Sequence, residues 1–362
     1  MTITYAEEYR DPAIAKSLVH QLASLSQKPV RLMEVCGTHT MAIFRHGIRA
    51  LLPRTITLLS GPGCPVCVTA QGDIDAFVAL SRRPDVTLTT FGDLMRVPGS
   101  GSSLQRETAE GADVRVVYSA MDAVQLAGKR PDREVIFLGV GFETTAPTIA
   151  AAIISARQMN LKNFSIYCAH KTVPVALKAL MDNPSVQIDG FLLPGHVSVI
   201  IGLNAYRPFF EQYQTPGVVA GFEPVDVLRG VLELVTMLEK GRPGLGNVYP
   251  RAVTAEGNTQ AQHVLAKVFE PCDTCWRGLG VIPGSGLSIR SEYADFDAVR
   301  RFDFEVGETP EPKGCACGEI LSGTKTPPEC ALFRKACTPM NPVGPCMVSS
   351  EGTCAAYYRY AV

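Results

Sequence analysis

The chain has 362 residues, 46% of them apolar and 19% charged, with a formal net charge of −1. Such a length buries a sizeable core and accommodates two or three domains, and the balance excludes a disordered chain. Lys and Arg are spread evenly, which excludes a basic footprint for nucleic acid or an anionic membrane. The N-terminus MTITYAEEYRD lacks the basic start and apolar run of a secretory leader, and TIAAAIISA, the nearest candidate for a membrane span, stops well short of one. A cytoplasmic location is expected. That compartment keeps thiols reduced, so the 12 cysteines point to metal, cluster or catalytic redox use and away from a disulfide scaffold.

Asp11-Pro12 reads as an N-cap with proline at the first helical position, opening a helix to about Leu25. RLMEV (31–35) is a short apolar run ending at Cys36, and helical spacing follows through THTMAIFRHGIRALL (38–52). TITLLS (55–60) ends at the turn GPGCPVC (61–67), with a helix over 73–80. VTLTTF (86–91) is a third strand, followed by the loose segment VPGSGSS (97–103). VRVVYS (114–119), EVIFLG (134–139), FSIYC (164–168), GFLLP (190–194) and GVVAG (217–221) continue the series, and a helix is predicted over 223–240.

Short β-rich runs alternating with helices predict an α/β protein with largely parallel sheets. The spacing suggests an α/β unit over 55–130 carrying GPGCPVC and another over 131–220 carrying GFETTAP. Residues 1–54, with the CGTHT loop, are expected to pack with the C-terminal part (221–362), whose segment 306–362 is rich in cysteine. In parallel sheets, ligands gather at the carboxyl ends of strands. The loops there are VCGTHT (35–40), GPGCPVC, GVGFETTAP (139–147), CAHKTVP (168–174), PGHVSVI (194–200) and GFEP (221–224). They hold most of the small, Cys, His and acidic residues, which predicts a shared cleft.

GVGFETTAP follows a strand and opens a helix, but Thr144 stands at the third glycine position and no acidic residue ends the next strand. Nicotinamide binding is therefore rejected, and Glu143 is left as a candidate cleft residue. The six C-terminal cysteines, Cys315, Cys317, Cys330, Cys337, Cys346 and Cys354, suit zinc or an iron–sulfur cluster. Their wide gaps favour the cluster over structural zinc, and one cubane uses four thiolates, leaving two. Cys64 and Cys67 can be metal ligands, a redox pair or structural thiols. With Cys272 and Cys275 they could complete a four-thiolate zinc site. His20 and His263 fall on amphipathic helices. His196 sits in a cleft loop, and His39 beside Cys36 suits a soft or borderline metal.

CGTHT, GPGCPVC, GFETTAP, HVSVIIG (196–202) and GFEP, in that order over nearly the whole chain, resemble the signature blocks of the HypD family of hydrogenase maturation factors. The spacing of Cys315, Cys330, Cys337 and Cys354 is similar to that family's cluster-binding pattern. The resemblance implies two small parallel-sheet α/β domains plus a larger α/β part with a Cys-rich C-terminal iron–sulfur subdomain. It implies assembly of the Fe(CN)2CO unit of [NiFe]-hydrogenases on a redox-active scaffold, not a turnover enzyme. A HypC-type small chaperone would share the transient iron, HypE would deliver cyanide, and the hydrogenase large subunit would be served indirectly. By the same resemblance Cys315, Cys330, Cys337 and Cys354 hold a [4Fe–4S] cluster, and Cys317 and Cys346 form a redox pair. Cys36 holds the iron with His39 nearby, and Cys64 and Cys67 look like a redox dithiol. Cys36, His39, Cys64, Cys67, Glu143 and His196 are thus the expected chemical centre. Val175 stands where the family pattern has a second proline, and Cys272/Cys275 lie outside that pattern. Two competing readings are a cluster-containing thiol–disulfide oxidoreductase acting on a protein partner, and an iron-binding module whose cluster is structural.

Overall fold

The computed structural model describes residues 7–302 and 309–361; the expected boundaries at 1, 306 and 362 lie outside them. In chain order the strands are β1 (Val30–Glu34), β2 (Ile56–Ser60), β3 (Val86–Thr90), β4 (Val114–Val116), β5 (Glu134–Gly139), β6 (Phe164–Cys168), β7 (Gly190–Pro194), β8 (Gly217–Ala220), β9 (Leu245–Asn247), β10 (Phe269–Trp276) and β11 (Gly280–Ile289). They make a five-stranded sheet in the order β2-β1-β7-β8-β9, a four-stranded sheet in the order β4-β3-β5-β6, and the pair β10-β11. Both larger sheets are parallel and the pair is antiparallel. β3, β7 and β8 are buried along their whole length, as expected of parallel strands covered on both faces.

Strand pairing does not follow the chain-consecutive units 55–130 and 131–220. β2 lies beside β1, with Leu58 opposite Leu32, and β7, β8 and β9 complete that first sheet. The second sheet is built from β3 to β6 and is inserted between β2 and β7. Hydrophobic periodicity marks where a strand is, but pairing is decided by which apolar faces meet, and that is a tertiary matter.

The helix Pro12–Leu25 begins as expected, with the Asp11 side chain accepting the Ala13 N–H at 2.7 Å. It covers the first sheet together with Pro224–Glu239. The run predicted as helical over 38–52 breaks into Gly37–Arg45 and Ile48–Leu51, because Gly47 takes a left-handed conformation (φ 64°). Nothing in the composition of 269–289 announces a hairpin, since Pro271, Asp273, Pro283 and four glycines are poor strand formers. Trp276 and Phe269 bury its ends against the second sheet.

The C-terminal segment carries the short helices Cys317–Leu321 and Pro345–Val348 and the last helix Thr353–Tyr360. The last helix docks on Gly37–Arg45, with the Tyr357 and Phe44 rings 4.6 Å apart. Arg49 donates to the Tyr357 hydroxyl at 3.1 Å and lies over both rings.

Below the GFEP loop, the fully buried Asp226 is gripped by both terminal nitrogens of Arg251 at 2.9 and 2.5 Å, and Arg251 stacks between Tyr9 and Tyr249. Removing the cation strands a carboxylate in the core. Arg251→Ala is expected to lower the free energy of urea unfolding by about 3 kcal/mol, as for one partner of a buried pair; a loss under about 1 kcal/mol would place this pair with surface ion pairs.

Candidate functional site

Cys36 leaves β1 in extended conformation and caps the helix Gly37–Arg45. The strand pattern that buries Leu32 and Met33 carries it to the carboxyl edge of the first sheet. Its sulfur is buried and 3.8 Å from His196 Nδ1, on the helix Gly195–Ile201 that follows β7. His39, one turn on, has Nε2 2.9 Å from the Gly221 carbonyl. A carbonyl accepts only, so Nε2 carries the proton and Nδ1 is a buried lone pair without a partner among the described residues. The Phe222 ring fits between the two imidazoles, with centroids 4.8 Å from His39 and 5.1 Å from His196.

Burial sets the protonation states here. It lowers both His39 and His196 to about 4, so both rings are neutral at neutral pH. It raises the Cys36 thiol well above its ordinary range. Glu351 and Glu34 add to that rise, and the backbone N–H groups of His39 and Thr38 oppose it. Glu34 is raised to about 8, chiefly by burial, and its carboxyl accepts the Cys36 N–H at 3.1 Å and the Thr40 hydroxyl at 2.5 Å.

The GPGCPVC turn is pressed against this loop. The Gly37 N–H donates to the Gly63 carbonyl at 3.0 Å and the Gly61 N–H to the Glu34 carbonyl at 2.8 Å. Cys64 and Cys67 are joined as a disulfide, their Cα atoms 5.2 Å apart, at the start of the short helix Pro65–Val68. Cys64 Sγ lies 3.3 Å from the Ser349 hydroxyl, which in turn donates to Asp93 at 3.2 Å. The helix Pro345–Val348, with Cys346, packs on Pro65–Val68. Cys317 and Cys346 sulfurs are 3.2 Å apart. With Cys315, Cys330, Cys337 and Cys354 they line a single small cavity whose remaining walls are apolar, Ile320, Phe333 and Met347 among them.

Glu143 is buried with its carboxylate 3.0 Å from the Val173 N–H, at the start of the helix Val173–Met181. Cys272 and Cys275 lie on β10. Among the described residues no group of His, Cys, Asp or Glu converges as a single metal ion requires, so the four-thiolate zinc arrangement with Cys64 and Cys67 is not formed.

Several residues of the site escape sequence reasoning. Phe222 and Tyr206 look like ordinary core aromatics, and Ser349 and Glu351 are remote in the chain. The Glu351 carboxylate accepts the Thr38 hydroxyl at 2.5 Å. Tyr206, buried, accepts a hydrogen bond from Ser198 at 3.3 Å. Glu34 alone left a signal, as an acid inside an apolar strand run.

Fold and site together define a cysteine-rich α/β protein whose thiols meet at the carboxyl edge of a parallel sheet. The profile of HypD, described as a hydrogenase formation family, matches residues 13–361. Hydrogenase maturation factor HypD of Azotobacter vinelandii is 49% identical over 98% of this chain and 96% of its own length. The factor of the same name from Rhodobacter capsulatus is 46% identical over 98% of each chain. A putative hydrogenase expression/formation protein of Methanocaldococcus jannaschii is 44% identical over 97% of this chain and 98% of its own. The chain belongs to the HypD family. No helix among the described residues is long and apolar enough to cross a membrane.

Burial raises the Glu143 carboxyl to about 7, against the lowering pull of its own and the Val173 backbone N–H groups. Between an ordinary 4.5 and this value the folded chain holds a proton that the unfolded chain has lost. Stability therefore falls as pH climbs through that window and levels off above it. Wild type should lose on the order of 3 kcal/mol relative to Glu143→Gln between pH 4 and pH 8, measured by urea unfolding; parallel pH profiles would contradict the assignment.

Proposed function

We propose that the chain is a hydrogenase maturation factor acting as a redox-active scaffold, on which the Fe(CN)2CO unit of a [NiFe]-hydrogenase is assembled at Cys36. The observation that carries this reading is the placement of Cys36. Its buried thiol, three residues before His39, faces His196, and its loop is in backbone contact with the turn that holds the Cys64–Cys67 disulfide. Iron is the cargo here. A cation replacing the thiol proton reverses the burial penalty, so metal binding and deprotonation are coupled. A soft thiolate suits low-spin iron that must keep carbonyl and cyanide bound. Two neutral imidazoles close by offer lone pairs without bringing competing charge. A HypC-type small chaperone would supply the second cysteine and HypE the cyanide, in line with the family resemblance.

The six C-terminal thiols fit a [4Fe–4S] cluster by the chemistry of the donor set. A cubane needs each thiolate on a different iron, ringed around a dry chamber, and not four sulfurs converging on a point. The chamber is lined by six cysteines and apolar side chains, and a Cβ at Gly344 would lie 2.9 Å from Cys315 Sγ. Cys315, Cys330, Cys337 and Cys354 would hold the cluster, and when bound it would supply electrons beside the Cys317–Cys346 pair. The chain's own part is to keep water out through Ile320, Phe333 and Met347, and to press the helix of Cys346 against that of Cys67.

A thiol–disulfide oxidoreductase acting on a protein partner is the second reading, favoured by the Cys64–Cys67 disulfide next to the Cys317–Cys346 contact. Steady turnover of generic disulfides would support it over the scaffold.

Cys36→Ala is expected to leave the fold and the C-terminal iron content intact. It should abolish hydrogenase maturation and the cyanide and carbonyl infrared bands of protein purified with its small partner. Normal maturation in that strain would remove Cys36 from the centre of the mechanism. Cys330→Ser in anaerobically purified protein should lose the visible absorption of the cluster and its roughly four irons per chain. An unchanged spectrum would contradict the ligand set.

A further inference from the structure

A second group of thiols meets at the carboxyl end of β6, apart from the loops around Cys36. Cys168 closes that strand, with Sγ 3.2 Å from His170 Nδ1 and 3.0 Å from the Leu287 carbonyl of β11. Next along β11 is Gly286. Lys171 bridges to it from one side, and Cys272 of β10 pairs with it from the other. Gly286 is the low point of this ridge: a Cβ there would lie 3.1 Å from Cys272 Sγ and 2.7 Å from Thr274 Cβ. The Cys272 sulfur thus leans over the glycine towards the segment that carries Cys168 and Lys171.

Lys171 makes the place chemically distinctive. It is 1% exposed, its ammonium has no hydrogen-bond partner among the described residues, and it stands 5.9 Å from the Trp276 ring centre. Burial lowers the Lys171 ammonium below its ordinary range, and Asp73 and the sulfurs of Cys275, Cys168 and Cys272 oppose that lowering. Asp297 also acts on Cys168, and Asp273 and Glu270 on Cys272. When charged, Lys171 favours the thiolate forms of Cys168 and Cys272, in opposition to the burial that raises both thiols. Cys168 and Cys272 both remain partly exposed, within reach of a small reagent.

We propose that Cys168 and Cys272 form a further dithiol–disulfide couple, oxidised by small disulfides of the glutathione class, that latches the hairpin β10–β11 to the end of β6. Burial raises both thiols, Cys168 to about 12 and Cys272 in the same direction, with the Ser288 hydroxyl and then Lys171 opposing the rise at Cys272. Cys272, the less deeply set of the two, meets the oxidant first. Its thiolate attacks the small disulfide, whose S–S bond breaks and releases one small thiolate, which takes the Cys272 proton. Cys168 then attacks the sulfur of Cys272 in the mixed disulfide and expels the second small thiolate. The Cys168 proton goes to that thiolate. Two electrons pass from the protein dithiol to the small disulfide, and the products are one protein disulfide and two small thiols.

The latch bears on the rest of the molecule through the hairpin turn. Arg277, next to Trp276, is buried and donates to the Thr69 carbonyl and the Gln71 side chain, both at 2.9 Å, just past GPGCPVC. Closing the latch therefore ties the thiol state of the surrounding pool to the footing of that turn.

The test uses the full chain, purified under reducing anaerobic conditions, incubated with oxidised glutathione, alkylated and digested without reductant for peptide mass mapping. The expected result is a cross-linked peptide pair joining 168 to 272, two hydrogens lighter than its parts and absent after dithiothreitol. In Cys168→Ser the cross-link should vanish completely, with Cys272 keeping a glutathione adduct. Two outcomes would overturn the proposal: complete alkylation of Cys168 and Cys272 in the wild-type chain, or a link from Cys272 to Cys275 with Cys168 alkylated. Neither readout depends on hydrogenase maturation.

Discussion

The backbones of Gly63 and Cys36 run so close together that any side chain at 63 would collide with the peptide that holds the thiol; its Cβ would fall on the Cys36 nitrogen and the Val35 carbonyl carbon. β1 and β2 are adjacent and parallel, so the loops leaving their carboxyl ends must turn away side by side. This contact sets their spacing. Two backbone hydrogen bonds, from Gly37 to Gly63 and from Gly61 to Glu34, then lock the pair. The direction of the Cys36 sulfur, the seat of Glu34 beneath it and the position of the Cys64–Cys67 disulfide all follow. A second close approach extends the frame to the C-terminal segment, because a Cβ on Gly37 would lie 2.5 Å from that of Glu351. Glycine at these positions is a packing requirement, independent of backbone angles.

Around that frame the chain keeps formal charge low. Both imidazoles are neutral, Glu34 sits near neutrality, and the thiol holds its proton, each because burial disfavours the charged form. The charges that are buried elsewhere are tied down or isolated: Asp226 by Arg251, Arg277 by a carbonyl and an amide, Lys171 by aromatic and sulfur neighbours. A site without strong charge of its own changes most when charge arrives.

The sequence was most legible where a single strand or helix carries its own signals. Asp11-Pro12 opens a helix where expected, and the apolar runs ending at Cys36, Ser60, Gly139 and Cys168 are strands whose carboxyl ends bear the loops of the site. The length of the helical run after Cys36 was misjudged because Gly47 stops it through a positive φ, which composition does not reveal. Sheet membership was illegible for a deeper reason. β2 has the same β-rich texture as β3, and only the burial of its faces against β1 and the first sheet's helices assigns it. The hairpin was hidden because its strands are rich in Pro, Gly and Asp and rest on Trp276 and Phe269 at their ends. Within the site, the cysteines and histidines announced themselves by type, whereas Phe222, Ser349 and Glu351 matter only through a proximity that chain distance conceals.

The insertion of the second sheet between β2 and β7 has a mechanical side. Covalently, that sheet joins the first through two connections only, one running from β2 to β3 and the other from β6 to β7. Each begins with a cysteine-bearing loop, GPGCPVC in one and Cys168 to Lys171 in the other, and continues into a helix, Gln71–Ser81 or Val173–Met181. A rocking of one sheet against the other has to be absorbed at the ends of such connecting elements. The thiol turn and the lysine loop stand at the start of the two covalent connections between the sheets, so any rotation of one sheet against the other would be felt at both together.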